Sequence, residues 1–195
     1  MPIPELVIAS ANPDKVAEIA VVLENLAVLI PRPEGMPDVV EGGDNLEDNA
    51  RLKAVAVCEF AGRPAVADDT GLEIDVLNGA PGVYSARFAG NDATYQQNVE
   101  KVLAELEGVQ MGQRTARFKT VAIVRYPDGK ELIANGIVEG HISQSPSGEG
   151  GFGYDPIFVP VEGDGATFAQ MGHEKHKFSH RGRAFRSLGH MLSST

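Results

Sequence analysis

Apolar runs and helical stripes alternate along the first third of the chain. Leu6–Ala9 is a continuous apolar run, typical of a buried strand in a parallel or mixed sheet. Behind it, apolar residues recur at helical spacing from Val16 to Leu26, and a second helical stripe runs from Leu46 to Ala61. Pro64–Ala67 is another short apolar run, and it predicts the end of a buried strand.

The second half of the chain predicts a long hairpin. Residues 115–126 mix alternation with an apolar centre, and residues 131–142 return after the turn sequence Pro127–Lys130. Two further helices are predicted, one capped by Asp92 and one by Ser179. At 195 residues the chain is long enough for one domain with a sizeable core.

Charge and cysteine content limit the possible partners. The formal net charge of −10 argues against non-specific binding to nucleic acid or to an anionic membrane. Cys58 is the only cysteine, so no internal disulfide is possible and a reducing cytosol fits. Met1–Glu5 carries no basic segment, and no apolar run approaches the length of a membrane span. The sequence therefore predicts a soluble, cytoplasmic protein.

A carboxylate pair follows the apolar run Pro64–Ala67, in the stretch Asp68-Asp69-Thr70-Gly71. Two carboxylates and a hydroxyl at a strand end form a compact ligand set for a hard cation such as Mg²⁺. The alternative is a solvated turn with Gly71 at positive φ. The pair alone does not decide between a metal site and a turn.

A polar segment, Ser10–Lys15, connects the first predicted strand to the first helix. Free backbone N–H groups and the helix dipole favour anions at such a junction. Ser10 and Asn12 add side-chain donors, and Lys15 adds a positive charge one turn into the helix. The segment is not a Walker loop, because the glycines and the Gly-Lys-Ser/Thr ending are missing. A phosphate ligand and a solvated lysine both remain open for Lys15.

Two later segments extend the candidate chemistry. Phe152–Asp155 carries two aromatic rings around a glycine, which can clamp a planar base or simply cover the core. The stretch from His173 to Arg186 is rich in cations, with Glu174 as its one acid, and predicts a local anion site. A zinc site among its histidines is disfavoured, because no cysteine joins them and Ser179 interrupts the helix they would share.

These segments resemble the signature of one family, the inosine triphosphate pyrophosphatases, which are the bacterial non-canonical purine NTP pyrophosphatases (dITP/XTP pyrophosphatases). The matching segments stand in order over nearly the whole chain: Ser10–Lys15, Ala67–Leu72, Gly79–Arg87, Gly151–Pro156 and Ser179–Gly182. Two positions depart mildly from the family pattern. Ala11 stands where the family often has Gly, and Thr70 where bacterial members often have Ser.

The resemblance implies an α/β fold and a reaction. The fold is an elongated mixed β-sheet flanked by helices, a single ITPase-like domain over residues 1–195 with the active site in a cleft between two lobes, and usually a homodimer. The reaction is the hydrolysis of ITP, dITP and XTP to the monophosphate and pyrophosphate with Mg²⁺, which cleanses the nucleotide pool. The implied partner is this nucleotide substrate, with no nucleic acid polymer and no membrane.

The resemblance also implies roles for individual residues. Asp69 is the implied proton acceptor and a Mg²⁺ ligand, and Glu41 is the second metal ligand. Selection of a 6-oxo purine needs a hydrogen-bond donor, for which chemistry favours His180 or Arg181, and Asp68 stays open between a ligand and a structural residue. The implied substrate site comprises Ser10, Ala11, Asn12, Pro13, Asp14, Lys15, Lys53, Thr70, Phe152, Gly153, Tyr154, Asp155, Lys175, His180 and Arg181.

Two rival hypotheses remain. One is a related pyrophosphatase that acts on a pyrimidine or modified nucleotide. The other is a nucleotide-binding regulatory module that does not hydrolyse its ligand, although such a module would not need an acidic pair beside a phosphate site.

Overall fold

The computed structural model describes residues 3–194. Met1, Pro2 and Thr195 lie outside the described residues. The prediction made for Met1–Glu5 therefore lies partly outside them. No helix between residues 3 and 194 is long and apolar enough to cross a lipid bilayer.

A mixed seven-stranded sheet flanked by helices confirms the predicted fold class. Its strands run in the order β2-β1-β3-β5-β6-β7, and β4 pairs with β3. β1 is parallel to β2 and β3, whereas β4 and β7 are antiparallel to their neighbours. The strands are β1 (Glu5–Ile8), β2 (Val28–Ile30), β3 (Ala65–Ile74), β4 (Pro81–Gly82), β5 (Thr115–Arg125), β6 (Glu131–Ile142) and β7 (Phe158–Pro160).

The helices begin at polar caps that the local sequence supplies. Asn45 caps α2, and Thr94 caps α3 in a reciprocal pair with Gln97. The predicted cap Asp92 is therefore wrong by two residues, because Thr94 has the N3 glutamine that a capping box needs. The helices are α1 (Pro13–Val22), α2 (Leu46–Ala61), α3 (Tyr95–Glu105), α4 (Phe168–Met171) and α5 (His180–Ser193).

The chain divides into two compact units. The first contains the chain up to Asp69, Thr120–Gly136 and the chain from His180 onward, and the second contains Thr70–Lys119 and Ile137–Ser179. β3, β5 and β6 each contribute residues to both units.

Each unit has its own buried apolar cluster. In the first unit α1 packs against α5, and Ile19, Phe185 and Leu188 join the strand residues of the core. In the second unit the ring of Phe158 lies 4.7 Å from Phe118 and 5.1 Å from Phe168, measured between ring centroids. Tilted rings at these separations are favourable aromatic pairs.

β3 is longer than the sequence predicts. The strand does not end after Ala67 but continues through Asp68 and Asp69 to Ile74. Gly71 is not at positive φ, so the alternative of a solvated turn is wrong. The continuation has a long-range cause, because Leu72 pairs with Gly82 on β4 and its amide donates to Ser85 Oγ at 2.9 Å.

Candidate active site

Lys53 joins two carboxylates in the first unit. Its Nζ lies 2.9 Å from Asp69 Oδ1 and 2.9 Å from Glu41 Oε1. Lys53 stands on α2, Asp69 stands on β3, and Glu41 lies in the loop that precedes α2. The structure thus brings together three residues that the sequence predicts for the site.

Burial and charge shift the ionisation of this group. Burial raises the pKa of Asp69 above its ordinary value of 3.8, and the attraction of Lys53 and Lys15 offsets only part of that rise. Burial lowers the pKa of Lys53, but the neighbouring carboxylates, with Asp69 foremost, more than offset it, so that the pKa is raised. Asp69 is therefore a stronger base than a solvated aspartate, and Lys53 keeps its charge.

Asp68 binds a different set of cations from its neighbour. Its Oδ2 lies 3.3 Å from Lys15 Nζ and 3.4 Å from both Nε and Nη2 of Arg181. Arg181 also donates to Glu18 at 2.5 Å. Successive side chains of a strand point to opposite faces, which is why Asp68 and Asp69 have separate partners.

This second group is also buried, and its charges depend on one another. Burial alone would raise the pKa of Asp68, but Lys15, Arg181 and Lys53 outweigh it and hold that pKa well below the usual range. Burial lowers the pKa of Lys15, and the nearby cations lower it further despite the attraction of Asp68. Asp68 therefore serves as the ionised partner of Lys15 and Arg181.

Asn12 caps α1 and alters the predicted anion site. Its Oδ1 accepts from the amides of Asp14 at 2.9 Å and Lys15 at 3.4 Å, while its own amide donates to Ser10 Oγ at 3.2 Å. The prediction of free N–H groups is wrong for these three amides, because each already has an acceptor. The positive charge of the segment comes from Lys15. The other predicted residues here are exposed: Ala11, Pro13 and Asp14.

His180 is fixed at the start of α5. Its Nδ1 lies 2.7 Å from Thr120 Oγ1, and both side chains are buried. A Cβ atom added to Gly136 on β6 would overlap the His180 carbonyl oxygen and come within 2.6 Å of Ala184 N. Only glycine allows β6 to approach α5 this closely, and that approach holds the first turn of α5 in place.

In the second unit, Lys175 forms a buried pair with Asp155. Lys175 Nζ donates to Asp155 Oδ2 at 2.5 Å and lies 5.4 Å from the centre of the Phe152 ring. Asp155 also accepts from the Phe152 amide at 3.0 Å. The structure thus gathers the predicted residues Phe152, Asp155 and Lys175 around one ion pair.

The two predicted aromatic residues differ in position. Tyr154 belongs to the buried core, and its hydroxyl donates to the Ser85 carbonyl at 2.8 Å. The prediction that two aromatic rings clamp a base is therefore wrong for Tyr154, because its ring is buried in the core. Phe152 is half-buried, and its ring lies 5.7 Å from that of Tyr95. Thr70 on β3 is also half-buried, and Gly153 takes a left-handed φ of 62° between the two aromatic residues.

Comparison with known proteins decides the family. The model of the Ham1 family matches residues 6–191. The chain belongs to the Ham1 family. This confirms the resemblance found in the sequence.

Ham1 relatives match this chain along nearly its whole length. It is 42% identical to the dITP/XTP pyrophosphatase of Bacillus subtilis, over 97% of this chain and 98% of that protein. It is 45% identical to the dITP/XTP pyrophosphatase of Desulforamulus reducens, over 97% of this chain and 96% of that protein. A solved HAM1 protein of Coxiella burnetii superposes with a TM-score of 0.88 at 40% identity, covering 98% of this chain and 100% of that one.

Three residues of this Ham1 chain support the site and were not predicted. Glu18 holds Arg181, Thr120 holds His180, and Gly136 makes room for the His180 carbonyl. Glu18 is buried next to Ile19 on α1, but it lies off the predicted apolar stripe of that helix, so the helical spacing did not indicate it. Thr120 and Gly136 had no local signal, because their partners lie more than 40 residues away in sequence.

Proposed function

We propose that this Ham1 chain hydrolyses the non-canonical purine nucleoside triphosphates ITP, dITP and XTP to the monophosphate and pyrophosphate, and so cleanses the nucleotide pool. The observation that carries the proposal is Asp69, a buried carboxylate with a raised pKa that contacts Lys53 and lies near Lys15. This concentration of cations is exceptional in a chain with a net charge of −10, and it fits a polyanionic substrate. The names of the relatives support the substrate class.

The residues present fit a Mg²⁺ ion. Glu41 and Asp69 converge on one cationic group, the Lys53 ammonium, at 2.9 Å each. Among residues 3–194, no group of three or more His, Cys, Asp or Glu side chains could hold a metal. Two carboxylates suffice for Mg²⁺, which usually takes one or two together with waters and substrate phosphates. When bound, the ion would neutralise phosphate oxygens and acidify a bound water.

Asp69 and the lysines are proposed for different roles in the reaction. Asp69 accepts the proton of the water that attacks the α-phosphorus, and burial favours proton uptake by raising its pKa. Lys15 and Lys53 stabilise the negative charge that develops on the pyrophosphate leaving group. Lys175 of the second unit is proposed for the same role, and Ser10–Asp14 and Thr70 for further substrate contacts.

His180 and Arg181 are our two proposed readers of the base. Thr120 Oγ1 lies 2.7 Å from Nδ1 of His180, and the guanidinium of Arg181 contacts Asp68 and Glu18. If Thr120 donates to Nδ1, the ring carries its proton on Nε2, where it is a donor for a 6-oxo oxygen. Adenine offers an amino group there and leaves the donor unpaired, which favours hypoxanthine and xanthine. Phe152 is proposed to stack on the base.

Other parts of the prediction are retained as proposals. We propose a cytoplasmic homodimer, with a single ITPase-like domain over residues 1–195. Cys58 is the only cysteine of the sequence, which fits a reducing cytosol.

A nucleotide panel tests the proposed function. Pyrophosphate release is measured with Mg²⁺ and ITP, XTP, dITP, ATP, GTP or dTTP. We expect release from ITP, XTP and dITP well above that from ATP and GTP. No release from any nucleotide would contradict the enzymatic function, and a preference for dTTP would favour the rival pyrimidine pyrophosphatase.

A further inference from the structure

The loop that carries Glu41 is joined to α2 at two points. The amide of Gly43 donates to Asn49 Oδ1 at 2.8 Å, and Glu41 accepts from Lys53 at 2.9 Å. Asn49 and Lys53 are four residues apart on α2, so they lie one turn apart on the same face of the helix. One helix face therefore fixes both Glu41 and the backbone two residues beyond it.

Gly43 packs against α2 more closely than any side chain permits. A Cβ atom at Gly43 would lie 2.7 Å from Asp48 Cβ and 2.8 Å from Asn49 Oδ1. A Cβ atom at the adjacent Gly42 would meet nothing within 4 Å among the described residues. Neither glycine has a left-handed φ, so alanine differs between the two positions only in the space around it. The chain thus offers a matched pair of adjacent substitutions.

The buried side chain of Asn49 destabilises the fold relative to an apolar side chain at the same position. It is fully buried, and within the described part of the chain its Nδ2 has no hydrogen-bond partner. A buried amide donor without an acceptor destabilises the fold, whereas an apolar side chain would fill the same space without that cost. The other buried residues that follow it on α2 have small or apolar side chains: Ala50, Ala54, Val57 and Cys58. What Asn49 adds is the acceptor for Gly43.

We propose that Gly43 and Asn49 form a clamp that positions Glu41 beside Lys53 and thereby sets the Glu41–Asp69 carboxylate pair for a divalent cation. The inference rests on the proposed function, which assigns Glu41 as a metal ligand. Gly43 and Asn49 are positioning residues, because they act through Glu41.

The first test compares Gly43→Ala with Gly42→Ala. Mn²⁺ affinity of the nucleotide-free protein is measured by titration with electron paramagnetic resonance, which requires no turnover. Removing a group that orients a metal ligand typically weakens metal binding about 10–100-fold, and we expect Gly43→Ala to fall in that range. Gly42→Ala should bind Mn²⁺ like the wild type. Equal affinities for the two variants would overturn the clamp.

A second test separates positioning from folding. Asn49→Leu removes the acceptor for Gly43 together with the buried unpaired donor, so its thermal midpoint should stay near that of the wild type while Mn²⁺ affinity falls as in Gly43→Ala. Both substitutions are then repeated in a Glu41→Gln background, where the clamp has no ligand to position. No further loss of kcat/KM for ITP is expected there. A further loss of the same size as in the wild-type background would show that the two residues act independently of Glu41.

Different results would contradict the proposed function and the clamp. If the wild type releases no pyrophosphate from any nucleotide, the proposed function fails, and the Mn²⁺ comparison still decides the clamp. If the wild type is active and Gly43→Ala binds Mn²⁺ like Gly42→Ala, only the clamp is wrong.

Discussion

Two charge networks in this chain use the same kinds of residue at different degrees of burial. In the first unit, Asp68 holds Lys15 and Arg181, and the side chains of Asp68 and Arg181 are only 1% and 3% exposed. The distances from Asp68 to its cations are 3.3–3.4 Å. Asp68 and Arg181 have hardly any access to water, and the side chain of Lys15 is 19% exposed.

The second network crosses strands of the second unit. Arg117 on β5 lies 3.0 Å from Asp75 and 3.1 Å from Glu139, and Lys119 lies 2.7 Å from Glu73. The carboxylates here are 24–58% exposed. These pairs have the arrangement of ordinary cross-strand contacts.

We expect burial, and not distance, to decide how much an ion pair contributes to stability. The pair of Lys119 with Glu73 is shorter than the pairs of Asp68, yet water and salt screen it and its net contribution is small. Removal of one member of the buried network leaves an uncompensated charge in the interior. The predictions below contrast the two networks and begin with the largest expected effect.

Asp69→Asn is expected to lower kcat for ITP by about 10²–10⁴-fold, because asparagine cannot accept the proton. Binding of ITP should remain measurable by calorimetry in the presence of an inert metal. The matched control is Glu73→Gln in the exposed network, which should keep wild-type kcat. Full activity of Asp69→Asn would remove Asp69 from the mechanism.

Asp68→Ala is expected to lower the free energy of unfolding by about 3–5 kcal/mol, the usual cost of breaking a buried ion pair on one side. Urea denaturation measures the loss, and Glu73→Ala should cost about 1 kcal/mol or less. Similar losses for both variants would refute the contrast between the networks.

The loss in the free energy of unfolding caused by Asp68→Ala should depend on pH. The pKa of Asp68 lies below 3.8 in the folded chain, so its contribution is complete above pH 3.8 and disappears as the pH falls through the folded-state value. The difference in stability between the wild type and Asp68→Ala should therefore shrink below pH 3.8. A constant difference would contradict the ionised state of Asp68.

Activity should also follow the shifted pKa values of Asp69 and Lys15. Because the pKa of Asp69 is raised, kcat/KM should fall on the acid side at a pH above 3.8. Because the pKa of Lys15 is lowered, the alkaline fall should come below pH 10.5. Asp68→Asn should move the alkaline fall to still lower pH, since it removes the carboxylate that keeps Lys15 charged, whereas Glu73→Gln should move neither limb.

Lys119→Met should have the smallest effect, below about 1 kcal/mol in the free energy of unfolding, because its pair with Glu73 is partly solvated. High salt should abolish even this difference, since an exposed pair is screened at short range. Urea denaturation at low and high salt measures both. A loss comparable with that of Asp68→Ala would contradict the comparison.

Elements whose bounds depend on nearby residues were predicted well from the sequence. The hairpin of β5 and β6 was predicted within one residue at its bounds, because alternation and the turn Pro127–Lys130 both lie inside it. The site residues Glu41, Lys53 and Asp69 came from the family resemblance, and the structure places them in contact.

The errors have long-range causes. β3 continues past Ala67 because Leu72 pairs with Gly82, and Tyr154 is buried because its hydroxyl reaches Ser85, 69 residues earlier. At Asn12 the cause is competition: a residue that can donate to an anion also caps its own helix. The spacing of residues in the sequence indicates neither the long-range contacts nor the competition at Asn12.

The continuation of β3 has a consequence for rate. Asp69 stands on a strand that has β1 and β5 as neighbours, whereas Glu41 stands on a loop next to Val40, whose surface is 85% exposed. A carboxylate on such a strand has little conformational entropy left to lose when substrate arrives. The proposed proton acceptor is thus preorganised by its strand, whereas Glu41 depends on contacts of its loop with α2 for the same order.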